Sequence, residues 1–166
     1  TANNATREYG DANPTFSATI TGFKNSETLA TSGVTGSPVL TTSATATSAV
    51  SGSPYSITAA VGTLASDNYS FTFVNGSLTI TKATLMVTAN NATREYGDAN
   101  PTFSATITGF KNSETLATSG VTGSPALTTS ATATSAVSGS PYSITAALGT
   151  LASDNYSFTF VNGSLT

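Results

Sequence analysis

Asn68-Tyr69-Ser70-Phe71-Thr72-Phe73-Val74-Asn75-Gly76-Ser77-Leu78-Thr79-Ile80-Thr81-Lys82 alternates apolar and polar residues on both sides of an Asn-Gly pair. Such a pattern reads as a β-hairpin, because a two-residue type I′ turn needs positive φ at both central positions and Asn-Gly supplies it. With Asn75-Gly76 as the turn, the expected register sets Val74 against Ser77, Phe73 against Leu78, Phe71 against Ile80 and Tyr69 against Lys82. Every large apolar side chain then shares one face, and Ser70, Thr72, Thr79 and Thr81 share the other. One face packs on a core and the opposite one meets water.

The stretch occurs twice. Residues 1–79 match residues 88–166 at a fixed offset with two differences, Val39 against Ala126 and Val61 against Leu148. Self-similarity of this kind defines tandem units, and the boundary is expected near Ala83, giving 1–83 and 84–166. Between Ile80 and Leu85 lie only Thr81, Lys82, Ala83 and Thr84, with neither Gly nor Pro, so no flexible tether is available. The chain starts and stops in mid-pattern and reads as an internal excerpt of a longer array. It shows no signal peptide and no apolar run of about 18 residues that would span a membrane.

Composition narrows the function. Ser and Thr supply 58 of the 166 residues, charged residues only 8%, and the net charge is -3. Five scattered Lys and Arg are too weak a field to recruit nucleic acid or an anionic membrane. Cys and His are absent, which removes disulfides, thiolate metal sites and the commonest general base. Abundant Ser and Thr without a base to activate them make no nucleophile, so no catalytic residue is assigned and the chain is not expected to be an enzyme.

Along each unit, Thr84 to Asn90 reads as a first strand whose Leu-Met-Val part is missing from the first copy. Arg7 to Pro14 is a turn-rich connection in which Gly10 takes positive φ and Asp11 and Asn13 bond their own backbone. Thr15 to Gly22 is a second strand with Phe16, Ala18 and Ile20 on one face. Asn25 to Gly33 is the helical candidate, with Asn25 or Ser26 as cap, Glu27 in the first turn and Gly33 as stop. Val39 to Ala46 is expected as an edge strand, Ser51 to Pro54 as a turn, and Tyr55, Ile57, Ala59 and Val61 as the inward face of a further strand. The exchange of Val39 for Ala126 beside that of Val61 for Leu148 conserves volume, which fits two side chains sharing a core pocket or independent drift.

With Tyr9-Gly10-Asp11-Ala12-Asn13-Pro14 near the start, a short helix after Gly22-Phe23 and Asn68 to Ala83 at the end, each unit resembles the mostly-β-grasp (MBG) repeats of bacterial surface proteins. The resemblance implies a mainly β, β-grasp-like (α+β) fold. Two tandem units would be arranged end to end, each a small curved sheet with one short helix, its first and last strands parallel. It implies an extracellular, cell-surface location, no cofactor, no catalytic residues and a monomeric chain whose partners are its neighbouring repeats. A glycan or host ligand would then be met through other domains. Copy 2 ends before the counterpart of Ile80, which leaves Phe158 without its expected cross-strand neighbour and predicts frayed ends in both units.

Several weaker features have plainer roles beside their functional ones. Asp11 and Asn13 offer part of the roughly six to eight oxygens that calcium needs, but Asp and Asn in turns ordinarily bond backbone, and no metal is expected. Lys82 opposite Tyr69, or Lys24, suits a Lys-Asn cross-link, against which stands a strand-end lysine reaching into water. Asn4-Ala5-Thr6, Asn68-Tyr69-Ser70 and Asn75-Gly76-Ser77 fit the glycosylation pattern. Tyr9, Phe23 and Tyr55 are the aromatic residues left for a carbohydrate platform once Phe16, Phe71 and Phe73 go to the core. The reading that follows is a stalk or spacer segment projecting a binding domain; the alternative is a repeated adhesive module acting by avidity. Ice binding or self-association through Thr-rich faces ranks third, because the Thr spacing is irregular outside the strands.

Overall fold

The computed structural model of the chain describes residues 1–166, which form two compact units, Thr1–Thr81 and Lys82–Thr166. Both are built from short strands, as residues rich in Thr, Val, Phe and Tyr favour. Unit 1 contains β1 (Ala5–Glu8), β2 (Val39–Thr41), β3 (Tyr55–Ala60) and β4 (Gly76–Thr81) in one sheet of order β1-β4-β3-β2. β1 runs parallel to β4, with Ala5 opposite Leu78 and Glu8 opposite Thr81. β3 is antiparallel to both β4 and β2. β2 does lie at the sheet edge, although it stops at Thr41 rather than Ala46.

Unit 2 contains β5 (Ala83–Ala89), β6 (Ala105–Thr108), β7 (Ala126–Thr128), β8 (Tyr142–Ala147), β9 (Tyr156–Val161) and β10 (Gly163–Leu165). They make two sheets, β6-β5-β9 and β10-β8-β7. β5 is parallel to β9, with Leu85 opposite Phe158 and Thr88 opposite Val161. Beyond Asn90-Asn91 the same parallel register resumes, Ala92 facing Leu165. The opening segment of the unit therefore accompanies its closing segment from one sheet into the other, which is the expected parallel pairing of first and last strands.

That pairing overturns the hairpin. Neither Asn75 nor Gly76 has positive φ, so no type I′ turn forms. The two arms instead belong to different sheets, β9 lying beside β5 and β10 beside β8. At the crossing, Asn75 Oδ1 accepts the N–H of Ala59 at 3.2 Å, and Asn162 does the same for Ala146 at 3.1 Å. Phe158 accordingly faces Leu85, not a hairpin partner, and Lys82 does not face Tyr69: its Nζ donates to the Ser153 carbonyl at 2.7 Å. Glycine is needed here for room. A Cβ on Gly76 would lie 2.7 Å from the Ala2 carbonyl oxygen, and one on Gly163 would lie 2.5 Å from that of Ala89.

The expected helix over Asn25–Gly33 is also absent. Asn25 and Ser26 adopt left-handed φ values of 53° and 57°, and the segment is a run of turns closed by Gly33 at φ 70°. Hydroxyls compete with the helix for backbone groups: Thr31 Oγ1 accepts the Thr28 N–H at 2.8 Å, and Ser32 Oγ donates to the Leu29 carbonyl. Leu29, the one large apolar side chain of the segment, is exposed and gives such a helix nothing to pack through. The short helix of each unit is a single 3-10 turn, Val50–Gly52 in unit 1 and Val137–Gly139 in unit 2.

The core of unit 1 rests on Ile57, Leu78 and Ile80, all nearly inaccessible to water, with Tyr9, Ala44 and Leu64 around them. Each large aliphatic side chain of that set contributes about 1.5–3 kcal/mol by burial. In unit 2 the corresponding set is Ile144, Leu165 and Tyr156, extended by Leu85 and Val87 of β5. Val61 is not part of the inward face: Val39 is 49% exposed and Val61 47%, so the two positions that differ between copies share no core pocket. Drift at exposed sites accounts for them.

The two units differ in which of their shared segments form strands. Tyr69–Val74 forms no strand, whereas the identical Tyr156–Val161 is β9. In unit 2, β5 pairs with it along six residues. The second strand behaves alike, being β6 in unit 2 but a single Ala2–Ala18 bridge in unit 1. Conversely, β4 runs on to Thr81 while β10 stops at Leu165.

The crossing generates a prediction. Replacing Gly76 and Gly163 by Ala together costs about 1–3 kcal/mol per unit through overpacking, whereas Thr79→Ala on the exposed face changes stability by at most about 0.5 kcal/mol. Urea denaturation of the two variants checks this.

Candidate functional site

The Tyr-Gly motif does structural work first. Tyr9 donates its N–H to the Thr81 carbonyl at 2.9 Å and its ring is buried, and Gly10, at φ 87°, turns its own N–H onto the Ala46 carbonyl at 3.1 Å. A residue with a Cβ adopts that φ only under strain. Arg7, 6% exposed, reinforces the same junction. Its Nε donates to Asn13 Oδ1 at 2.8 Å, one Nη to the Glu8 carbonyl at 3.0 Å and the other to the Thr45 carbonyl. Asn13 Nδ2 donates onward to the Ala44 carbonyl at 2.7 Å. A guanidinium with fixed planar donors is suited to holding several neutral oxygens at once.

Both polar ends of the Asn13 side chain are therefore engaged with protein, not with its own backbone, and it has turned away from a calcium role. No group of three or more His, Cys, Asp or Glu side chains comes together in the fold. In unit 2 the junction is looser: Arg94 holds the Thr132, Glu95 and Asp98 carbonyls, but its Nε is buried without a partner.

A second cluster joins residues far apart in sequence. Tyr69 donates its hydroxyl hydrogen to Glu27 Oε2 and its oxygen accepts the Lys24 N–H at 3.0 Å, while Phe23 packs edge-on against its ring at 5.7 Å. Unit 2 repeats this with Tyr156, Glu114, Lys111 and Phe110, the hydroxyl bond being 2.7 Å and the ring separation 5.9 Å. The carboxylate raises the Tyr69 phenol above its usual 10.0, an effect that the Lys24 N–H only partly offsets. The cluster pins the turn region to the closing segment. Nothing local announced it, since Tyr and Glu lie 42 residues apart.

The candidate aromatic platform does not assemble. Tyr9 is buried, Phe23 is committed to Tyr69, and Tyr55 holds the Ala49 carbonyl through its hydroxyl at 2.9 Å. Tyr96, the counterpart of Tyr9, is 64% exposed against 4%, so its exposure does not recur between units. The asparagines of the glycosylation patterns also carry internal bonds. Asn4 Oδ1 accepts the Ser77 N–H at 2.9 Å, and Asn75 serves Ala59 as described. Asn3, which sequence reasoning passed over, bonds Ser17 and Thr19 and so fastens the opening segment to the next one.

A cleft of about 240 Å³ lies in unit 1 beside Ala18, Ile20, Leu64, Phe71, Phe73 and Val74. No helix of the chain is long and apolar enough to cross a membrane.

Two expectations follow. Arg7→Met leaves the Thr45 and Asn13 oxygens without their donor and destabilises unit 1 by about 1–3 kcal/mol, with a smaller loss for Arg94→Met in unit 2, as thermal denaturation of the two variants would show. Because the folded pKa of Tyr69 lies above the unfolded one, its contribution is present below about pH 10 and disappears as pH rises through the folded value. Tyr69→Phe should remove part of the alkaline tyrosinate absorbance step above about pH 10.

Among known proteins, the family model described as MBG domain (YGX type) matches residues 1–79 and again residues 85–166. No curated protein and no solved structure matches the chain.

Proposed function

Since the chain belongs to the family of MBG domains of the YGX type, present as a tandem pair, we propose that it is a non-catalytic spacer segment of a bacterial cell-surface protein. Its repeats set the distance at which a separate binding domain is held. The observation that supports this most is where the distinctive side chains go. Tyr9, Arg7, Asn13, Asn75 and the Tyr69–Glu27 pair all serve the interior of the unit or its loop junctions, and the counterparts of Asn13, Asn75 and the Tyr69–Glu27 pair make the same kinds of bond in unit 2. What faces water is largely Ser and Thr, which offers no recurring aromatic patch of the kind a glycan site uses.

The connection supports the same reading. β4 ends at Thr81 and β5 begins at Ala83, leaving Lys82 alone between the strands of the two units. Such a joint leaves no flexible linker. Partners, on this reading, are the neighbouring repeats, and any glycan or host ligand is met by other domains.

Small-angle scattering on chains of one, two and four repeats tests the proposal. The expected outcome is a maximum dimension that grows in proportion to repeat number. A dimension that saturates, or affinity for a glycan that climbs steeply with repeat number, would replace the spacer with the adhesive reading.

A further inference from the structure

We propose that Asn75-Gly76 and Asn162-Gly163 are self-modification sites which the folded unit holds shut, and which react only once the unit has opened, leaving a covalent mark of that event. Asparagine followed by glycine is the pair most prone to ring closure, since glycine has no Cβ to obstruct the approach and adopts backbone angles that other residues resist. The glycine N–H gives up its proton, its nitrogen attacks the asparagine Cγ, and the side-chain nitrogen departs as ammonia, leaving a five-membered succinimide. Water then opens the ring at either carbonyl. The products are aspartate and isoaspartate, the second carrying the main chain through its side-chain carbon.

Both asparagines are exposed, so water reaches either site and the block is geometric. Asn75 Oδ1 accepts the Ala59 N–H and Asn162 Oδ1 that of Ala146. Closing the ring swings Cγ onto the glycine nitrogen and takes this oxygen away from a donor in the central strand, which is then left unmet at a cost. The glycine cannot move to meet Cγ either. Gly76 is registered opposite Ile57 in β4, and Gly163 opposite Ile144 in β10. The main chain presses on both: a Cβ on Gly76 would lie 2.7 Å from the Ala2 carbonyl oxygen and 2.8 Å from that of Asn3, and Gly163 is flanked in the same way by Ala89 and Asn90. The residue that follows is tied as well, Ser77 N–H to Asn4 Oδ1 and Ser164 N–H to Asn91 Oδ1, each at 2.9 Å. The same restraints therefore converge on one peptide link in each unit.

The two products differ in what they do to the fold. Aspartate keeps an oxygen for the Ala59 N–H and leaves the main chain as it was. Isoaspartate adds a carbon to the main chain at the crossing, immediately before the residues whose register places Leu78 against Ala5 and Ile80 against Arg7. A change of register there moves buried side chains off the core face, so a unit that has stayed open long enough to react does not close on the same core. Asn25-Ser26 and Asn112-Ser113, where a small residue also follows asparagine, lie in exposed turns outside any strand and provide an internal reference.

Peptide mapping by mass spectrometry of the full 166-residue chain, incubated in mildly alkaline buffer with and without guanidinium chloride, tests the proposal. In the denatured chain Asn75 and Asn162 are expected to react first. In native buffer both should react at least about tenfold more slowly than when denatured, because reaction then waits on opening of the unit, while Asn25 and Asn112 slow by less. On return to native buffer, a unit carrying isoaspartate should lack the amide-exchange protection that the Asn75→Asp, Asn162→Asp variant regains. Equal native and denatured rates at Asn75 and Asn162 would overturn the proposal. So would protection no greater than that of Asn25 and Asn112, or isoaspartate-bearing units that refold as fully as those of the aspartate variant.

Discussion

The parallel pairing of each unit's opening segment with its closing segment is the constraint on which the rest of the structure depends. Two strands that run the same way must be joined by a long connection. The whole sequence between them, turns, edge strand and central β3 or β8, is that connection folded onto their shared surface. Because the paired segments pass from one sheet into another, the ladder has to be relayed at the point of passage. Asn4 and Asn75 relay it with side-chain carbonyls aimed at backbone N–H groups, and Gly76 lets the two main chains approach. The same arrangement of Asn91, Asn162 and Gly163 appears in unit 2.

That dependence explains how one peptide adopts two states in a single chain. Tyr-Ser-Phe-Thr-Phe-Val is a strand where a partner lies alongside it and irregular where none does. Strand formation is a property of the pair, because an extended segment gains little until its hydrogen-bonding groups and one face are both covered. Tyr9 is likewise buried where the carbonyl of Thr81, at the end of the closing strand, accepts its N–H.

The distinctive residues are used inwardly. Arg7 binds neutral loop oxygens, Tyr69 and Glu27 latch a turn region to the closing segment, and Asn13 bridges two loops. In a unit this small, a single core is marginal and polar junctions hold the loops that the core cannot reach. The outward surface is left to hydroxyls, and the two residues that differ between copies lie in β2 and just after β3, at or near that surface. Substitutions there leave these junctions untouched, which suits a repeat whose number can change without altering what each copy presents.

The amino-acid sequence by itself determined the tandem organisation, the β class, the edge position of Val39–Thr41, the inward alternation of Tyr55, Ile57 and Ala59, and the turn at Gly10. Each of these is local: repetition, period-two hydrophobicity and the φ freedom of glycine are written within a few residues. Only the tertiary structure decided which strand lies beside which. Alternation looks the same whatever the partner, so Phe160 and Leu165 read as neighbours across an Asn-Gly turn when Phe160 in fact lies beside Val87 and Leu165 beside Tyr142. Asn25–Gly33 carried helix signals that hydroxyl competition and two left-handed residues overrode. The Tyr69–Glu27 latch and the Arg7 junction escaped for the same reason: they join residues tens of positions apart, and no pattern along the chain encodes that distance.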